Sequence, residues 1–200
     1  MRTSSRLAAI AVAAALAGCP LPQPLPEYSA SGVTPPQIVE ESIRVNGAQA
    51  PSPVILVPAN CTPELEPQYE LSAMLEDSNN LEPVTARWFV NYDARYAEYN
   101  VVRSEETSVP PTTSDPLDIT RTVAPWTFKP YQYFGPAGAS GGGVPLPDPG
   151  VVRVVELVVS QNFAPSTTNF PNRAPVTGFK TQSHAWTFLS VPQSVAPCTP

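Results

Sequence analysis

Apolar side chains recur at every second position through several stretches of the chain, the period of a strand with one buried face. In residues 69–76, Tyr69, Leu71, Ala73 and Leu75 share one face, and Glu70, Ser72 and Glu76 share the other. In residues 84–92, Val84, Ala86, Trp88, Val90 and Tyr92 face one way and Thr85, Arg87 and Asn91 the other. The run from Val151 is rich in β-branched residues and places Val155, Leu157 and Val159 inward and Arg153 outward. Residues 185–191 have the same character, and weaker strands are expected at 54–57, 100–104, 117–123 and 126–128. No long stretch carries a 3.6-residue apolar repeat, so residues 37–45 are read as strand or coil. The pattern predicts an all-β domain of about seven or eight short strands, an antiparallel β-sandwich or barrel.

The alternation starts only after a different kind of segment. Arg2 and Arg6 precede ten uninterrupted apolar residues, 7–16. A bilayer core takes about 20 apolar residues of helix, so this run is too short to span one. A basic start, a short apolar run and small residues before a break describe a secretory signal. Its end, Leu16-Ala17-Gly18-Cys19, resembles the lipobox of bacterial lipoproteins. That resemblance implies cleavage before Cys19, a diacylglycerol on its sulfur and an acyl group on the new amino terminus. Residues 1–18 are then signal peptide, and the partner is the membrane, reached through Cys19. Pro20 stands where the family's inner-membrane aspartate would be, so the expected location is the outer membrane.

Pro20, Pro22, Pro24 and Pro26 occupy alternate positions behind the cysteine, and Pro35 and Pro36 follow. Such a segment forms neither helix nor central strand and favours extended polyproline. Residues 19–36 are read as the lipidated cysteine and a tether, and 37–200 as a single domain. The chain has three cysteines, an odd number in an exported protein. With Cys19 carrying lipid, Cys61 and Cys198 remain to pair in an oxidising compartment.

Within the domain, Trp88 in the third clear strand, the late strand VVELVVS and the closing AWTFLSV resemble immunoglobulin-like sandwiches of the bacterial cell envelope. In such domains the strand-three tryptophan packs in the core. The cysteines depart from the antibody arrangement: a Cys61–Cys198 bridge joins the first strand region to the tail of the domain.

Charge narrows the partners. Losing Arg2 and Arg6 with the signal leaves nine basic side chains against seventeen acidic, a net charge of about −8. No basic cluster offsets it, so nucleic acid is not an expected partner. Two distant cysteines and one histidine make no zinc site, and no loop has the calcium-binding Asp-x-Asp-x-Asp-Gly spacing, although Asp77, Asn79, Asp93, Asp115, Asp118 and Asp148 fall mostly in turns. No cofactor is expected beyond the lipid on Cys19. Glu40-Glu41 and Glu105-Glu106 read as solubilising charge, and the sequon at Asn60 as incidental.

The one histidine, His184, falls in a candidate strand, with no Gly-x-Ser-x-Gly elbow around any serine. It reads as a surface or edge-strand residue rather than a catalytic base, with Ser140 in the glycine-rich stretch the only nucleophile imagined beside it. Residues 129–150 are expected to lack regular structure. Trp126, Phe128, Tyr131, Tyr133 and Phe134 lie within nine residues. Exposed, they would stack on a glycan or anchor a protein; the alternative puts Trp126 and Phe128 in the core. The expectation is thus a non-enzymatic interaction or structural domain, its partner an envelope protein or, through Trp126, Tyr131, Tyr133 and Phe134, a glycan. A hydrolase using His184 stands behind both.

Overall fold

The computed structural model describes residues 34–50, 52–79, 81–92, 105–111, 118–133, 148–165 and 173–198, all within one compact unit, Val33–Pro200. The strands are β1 (Gln37–Ile38), β2 (Arg44–Val45), β3 (Val54–Pro58), β4 (Tyr69–Ser72), β5 (Met74–Glu76), β6 (Val84–Val90), β7 (Glu105–Val109), β8 (Thr120–Thr122), β9 (Trp126–Phe128), β10 (Val152–Ser160) and β11 (Gln182–Val191). They form three open sheets, ordered β3-β11-β10-β6-β7, β1-β5-β8 and β2-β4-β9.

The two small sheets are one broken layer. Ala73 alone separates β4 from β5, and its carbonyl accepts the Val123 N–H across the gap between β8 and β9 (3.1 Å). Between β1 and β2, residues Glu40–Ser42 make a 3-10 turn. The Ser42 hydroxyl donates to the Val39 carbonyl at 2.6 Å and accepts the Met74 N–H at 2.7 Å, pinning the turn to the next strand.

The alternation read from the sequence decides which side chains meet. Leu71, Ala73 and Leu75 from this layer, and Val84, Ala86, Trp88, Val90, Val155, Leu157, Val159, Trp186 and Phe188 from the five-stranded sheet, are buried in one core. Trp88 stacks on Trp126 (ring centroids 5.4 Å apart) and lies 5.5 Å from Trp186, while Phe128 packs on Phe188 at 4.6 Å. Burying side chains of this size contributes roughly 1.5–3 kcal/mol each, so this aromatic row holds the layers together.

Four expectations need correction. First, the sheet is not wholly antiparallel: β3 runs parallel to β11, from Val54 opposite Thr187 to Pro58 opposite Val191. Second, Tyr92 does not continue the inward row of β6. Asn91 takes a left-handed φ of 50°, which Asn tolerates better than most residues. The step sends Tyr92 to the outer face, onto Phe89. Third, Arg153 shares the inward face of Val155 and Leu157, as period two requires, and burial lowers its guanidinium pKa. Fourth, residues 130–133 form one helical turn, Pro130–Tyr133, opened by a proline whose missing N–H costs nothing there. The expected strand at 100–104 lies outside the described residues; the strand seen next is β7.

A parallel pair leaves the sheet with both chains heading the same way. Cys61 lies just beyond β3 and Cys198 beyond β11, and they are joined as a disulfide, Cα to Cα 5.7 Å, across 137 residues of sequence. Around it, the Cys61 N–H donates to the Tyr131 hydroxyl at 3.0 Å, and that hydroxyl donates to the Pro58 carbonyl at 2.7 Å. Gln193 Nε2 donates to the carbonyls of Ala59 (3.1 Å) and Asn60 (2.9 Å), closing the same end.

Candidate functional site

β11 lies between β3 and β10, but β3 pairs with it only from Thr187 onward, so at His184 the strand is bonded to β10 alone, as the edge-strand reading expected. His184 shares the parity of Trp186 and Phe188 and therefore faces the other layer, half-buried, with its ring edge-on to Trp186 at 4.6 Å. Opposite it stands the 3-10 turn, and His184 Nδ1 lies 3.2 Å from Glu40 Oε2. Glu40 is thus a partner in an interlayer pair as well as a surface charge.

The third wall comes from a tight turn. Asn46 and Gly47 both have positive φ (53° and 75°), and Val45 bridges Ala48 across them. This Asn-Gly arrangement suits a two-residue hairpin turn. Asn46 is held twice to Glu70: its N–H donates to the Glu70 carbonyl (2.8 Å), and its Oδ1 accepts the Glu70 N–H (2.7 Å). The chain returning from the turn passes alongside β3, where Ser52 Oγ accepts the Val54 N–H at 3.2 Å.

Between these elements is a cleft of about 220 Å³, lined by Glu40, Ile43, Gln49, Ala50, Ser52, Pro53, Ile55, His184, Ala185 and Trp186. It adjoins a mainly apolar hollow of about 450 Å³ that shares Gln49, Ala50, Ser52 and Ile55 and adds Val45, Val54 and Leu56. The carbonyls of Leu56 and Pro58, at the β3 border of this region, accept the hydroxyls of Tyr69 (3.1 Å) and Tyr131 (2.7 Å). Burial raises the Tyr69 phenol to about 12, with the nearby Tyr131 adding to the shift, so it remains a donor throughout the neutral range. Tyrosine caps of this kind, with Pro58 in the strand, blunt β3 against pairing with another strand.

A second surface lies on the outer face of the large sheet. Leu56, Leu189 and Val152 stand side by side across β3, β11 and β10, and Val54, Thr187 and Val154 form the next row. Leu56, Val152 and Val154 are exposed. Further along, the same face is covered by its own chain: Phe163 packs on Phe89 and Val158, with the Arg87 guanidinium 4.2 Å above the Phe163 ring.

Of the aromatic cluster expected to bind a glycan, Trp126 and Tyr131 are buried, each 7% exposed, with Phe128 fully buried. The short strand β9 turns Trp126 and Phe128 into the core, and Tyr131 is held inward by Cys61 and Pro58. The side chain of Tyr133, and all of Phe134, Ser140 and Cys19, lie outside the described residues.

Asp77, read from the sequence as a turn residue, is turned inward. It pairs with Arg121 at 3.1 Å, both side chains essentially without solvent exposure. Asp118 Oδ1 accepts the Thr120 N–H (2.9 Å), and Glu106 pairs with Arg87 (2.8 Å). Among the described residues no three His, Cys, Asp or Glu side chains gather as metal ligands, and no helix is long and apolar enough to cross a membrane. Nor is any serine, threonine or cysteine hydroxyl or thiol among them hydrogen-bonded to His184. No protein-family model, curated protein or solved structure matches this chain.

The sequence singled out His184 but not its surroundings. Glu40, Gln49 and Ser52 belong to segments without strand alternation, so periodicity was silent about them. The one local signal was Asn46-Gly47, a hairpin dipeptide that places residues 48–50 next to β3.

Proposed function

We propose that the chain is a lipid-anchored cell-envelope protein that displays a non-catalytic, immunoglobulin-like interaction domain on a proline-rich tether. The cysteine count carries this reading. With Cys61 bonded to Cys198, Cys19 is the odd thiol, and it stands at the end of Leu16-Ala17-Gly18-Cys19 directly after a ten-residue apolar run. Two acyl chains on sulfur and one on nitrogen exceed the two signals that stable membrane attachment takes. The outer membrane is the proposed location.

The immunoglobulin-like assignment rests on strand order. With β6 taken as strand C, β7, β10 and β11 become C′, F and G, and β4/β5 and β8/β9 become B and E of the facing sheet. Trp88 then occupies the strand-C tryptophan position and is buried against Trp126 and Trp186. The disulfide ties β3 to the end of G instead of B to F.

For an interaction domain, the uncovered rows Leu56–Leu189–Val152 and Val54–Thr187–Val154 supply a surface of the kind that meets a protein partner. Burial of Trp126 and Tyr131 counts against the glycan alternative. In cell fractionation, Cys19→Ser should move the protein from the membrane to the soluble fraction. Retention on the membrane contradicts the anchor. Leu56→Glu with Val152→Glu should abolish chemical crosslinking to an envelope protein while leaving the fold intact; unchanged crosslinks contradict the interaction surface.

A further inference from the structure

We propose that the cleft between Glu40 and His184 binds a small organic amine: an ammonium group carried on an apolar body. This goes beyond the anchoring function and does not depend on it.

The charge of the cleft sets the ligand's head group. Among the described residues no lysine or arginine lines it. Glu40 is largely exposed, its side chain retaining 65% of its accessible surface, and His184 retains 23%. His184 Nδ1 lies 3.2 Å from Glu40 Oε2, which leaves the rest of the carboxylate facing the mouth. Gln49 and Ser52 add neutral polar atoms at the same mouth. A carboxylate with lone pairs left beyond its contact with His184 favours a donor that is also a cation. Trp186 and the His184 ring, edge to face at 4.6 Å, add aromatic surface to which cations are drawn.

The shape sets the body. Ile43 and Ile55 line the cleft beneath the charged mouth, and the adjoining apolar hollow of about 450 Å³ continues from Ile55 to Val45, Val54 and Leu56. The cleft alone, about 220 Å³, falls below the roughly 300–1,000 Å³ of most ligand pockets; with the hollow it enters that range. An alkyl or aryl body fills the apolar side while the ammonium reaches Glu40. Strand addition is disfavoured here, because Tyr69 and Tyr131 already occupy the Leu56 and Pro58 carbonyls.

The test is an NMR titration of the detergent-solubilised full mature chain with butylamine, butyrate and butanol, following the His184 and Trp186 side-chain resonances. Butylamine should shift both resonances saturably, and butyrate should not. Glu40→Gln should weaken butylamine roughly ten-fold, which is about 1.4 kcal/mol, and leave butanol unchanged. Glu40 is exposed, so this variant keeps its fold; Ala50→Leu, which fills the wall shared by cleft and hollow, should abolish butylamine binding. Butyrate binding as well as butylamine, undiminished butylamine affinity in Glu40→Gln, or no saturable shift overturns the proposal. So does binding of a lysine-bearing tetrapeptide by a protein that ignores butylamine, because the site is then one for a protein side chain.

Discussion

Replacing Asp77 by Asn should cost the domain about 3 kcal/mol, although the change removes no volume. The two side chains are 0% and 1% exposed, and Asp77 Oδ2 lies 3.1 Å from Arg121 Nη2. At an effective dielectric of about 20, two unit charges at that distance attract by about 5 kcal/mol. Desolvation consumes much of that, so what a mutation measures is the charge left behind, about 3–5 kcal/mol when one partner goes. Two observations place Asp77→Asn at the low end. Oδ2 meets the guanidinium without hydrogen-bond geometry. Arg121 also keeps two other acceptors, Nη1 donating to the Glu82 carbonyl at 2.5 Å and Nη2 to the Asn79 carbonyl at 2.6 Å. Arg121→Met should cost more, about 4–5 kcal/mol, since it strips the partner from Asp77 and a donor from each carbonyl. The double variant Asp77→Asn/Arg121→Met should cost less than the sum of the two, with a coupling of about 2 kcal/mol. Urea unfolding followed by tryptophan fluorescence, with the disulfide intact and the slope unchanged, measures all three. A loss below about 1 kcal/mol for Asp77→Asn, or strict additivity, refutes the reasoning.

Reducing the Cys61–Cys198 bridge, or replacing both cysteines by Ala, should cost up to about 5 kcal/mol, the chain-entropy value for so long a loop; an unchanged melting temperature after reduction contradicts it. Tyr69 gives a pH dependence. Its phenol ionises near 12 when folded and near 10 when unfolded, so its contribution is complete below pH 10 and is lost as pH rises towards 12. The slope should be about 1.4 kcal/mol per pH unit, and Tyr69→Phe should flatten it in urea titrations across that range. Trp126→Ala should destabilise by about 3–5 kcal/mol as a core truncation; wild-type melting behaviour in that variant would place the indole at the surface after all. Tyr131→Phe, which removes the hydroxyl between Pro58 and Cys61, should cost about 1–2 kcal/mol by urea unfolding.

Strands were legible wherever one face is apolar and the other polar. Leu71, Ala73 and Leu75, or Val84, Ala86, Trp88 and Val90, are buried as period two demanded. The alternation gives no sign of chain direction, and so β3 beside β11 in parallel was not foreseen. Nor does it survive a left-handed residue, which is why Asn91 reversed Tyr92. The buried pair was hidden for a related reason: an aspartate before a Ser-Asn-Asn stretch reads as a turn, and only the fold brings Arg121, 44 positions later, against it. The same holds for the cleft. His184 lies on β11 and Glu40 in a 3-10 turn of the other layer, and no local pattern connects them. The disulfide, by contrast, followed from counting, because three cysteines, with Cys19 read as the lipidated one, leave a single pairing.

The account stands on that commitment of Cys19. Intact mass spectrometry of the protein extracted from its own membrane, with fragmentation of its amino terminus, tests it most directly. The mature chain should begin at Cys19, carrying a diacylglycerol on sulfur and an acyl group on nitrogen. An amino terminus elsewhere, or an unmodified Cys19, would contradict it.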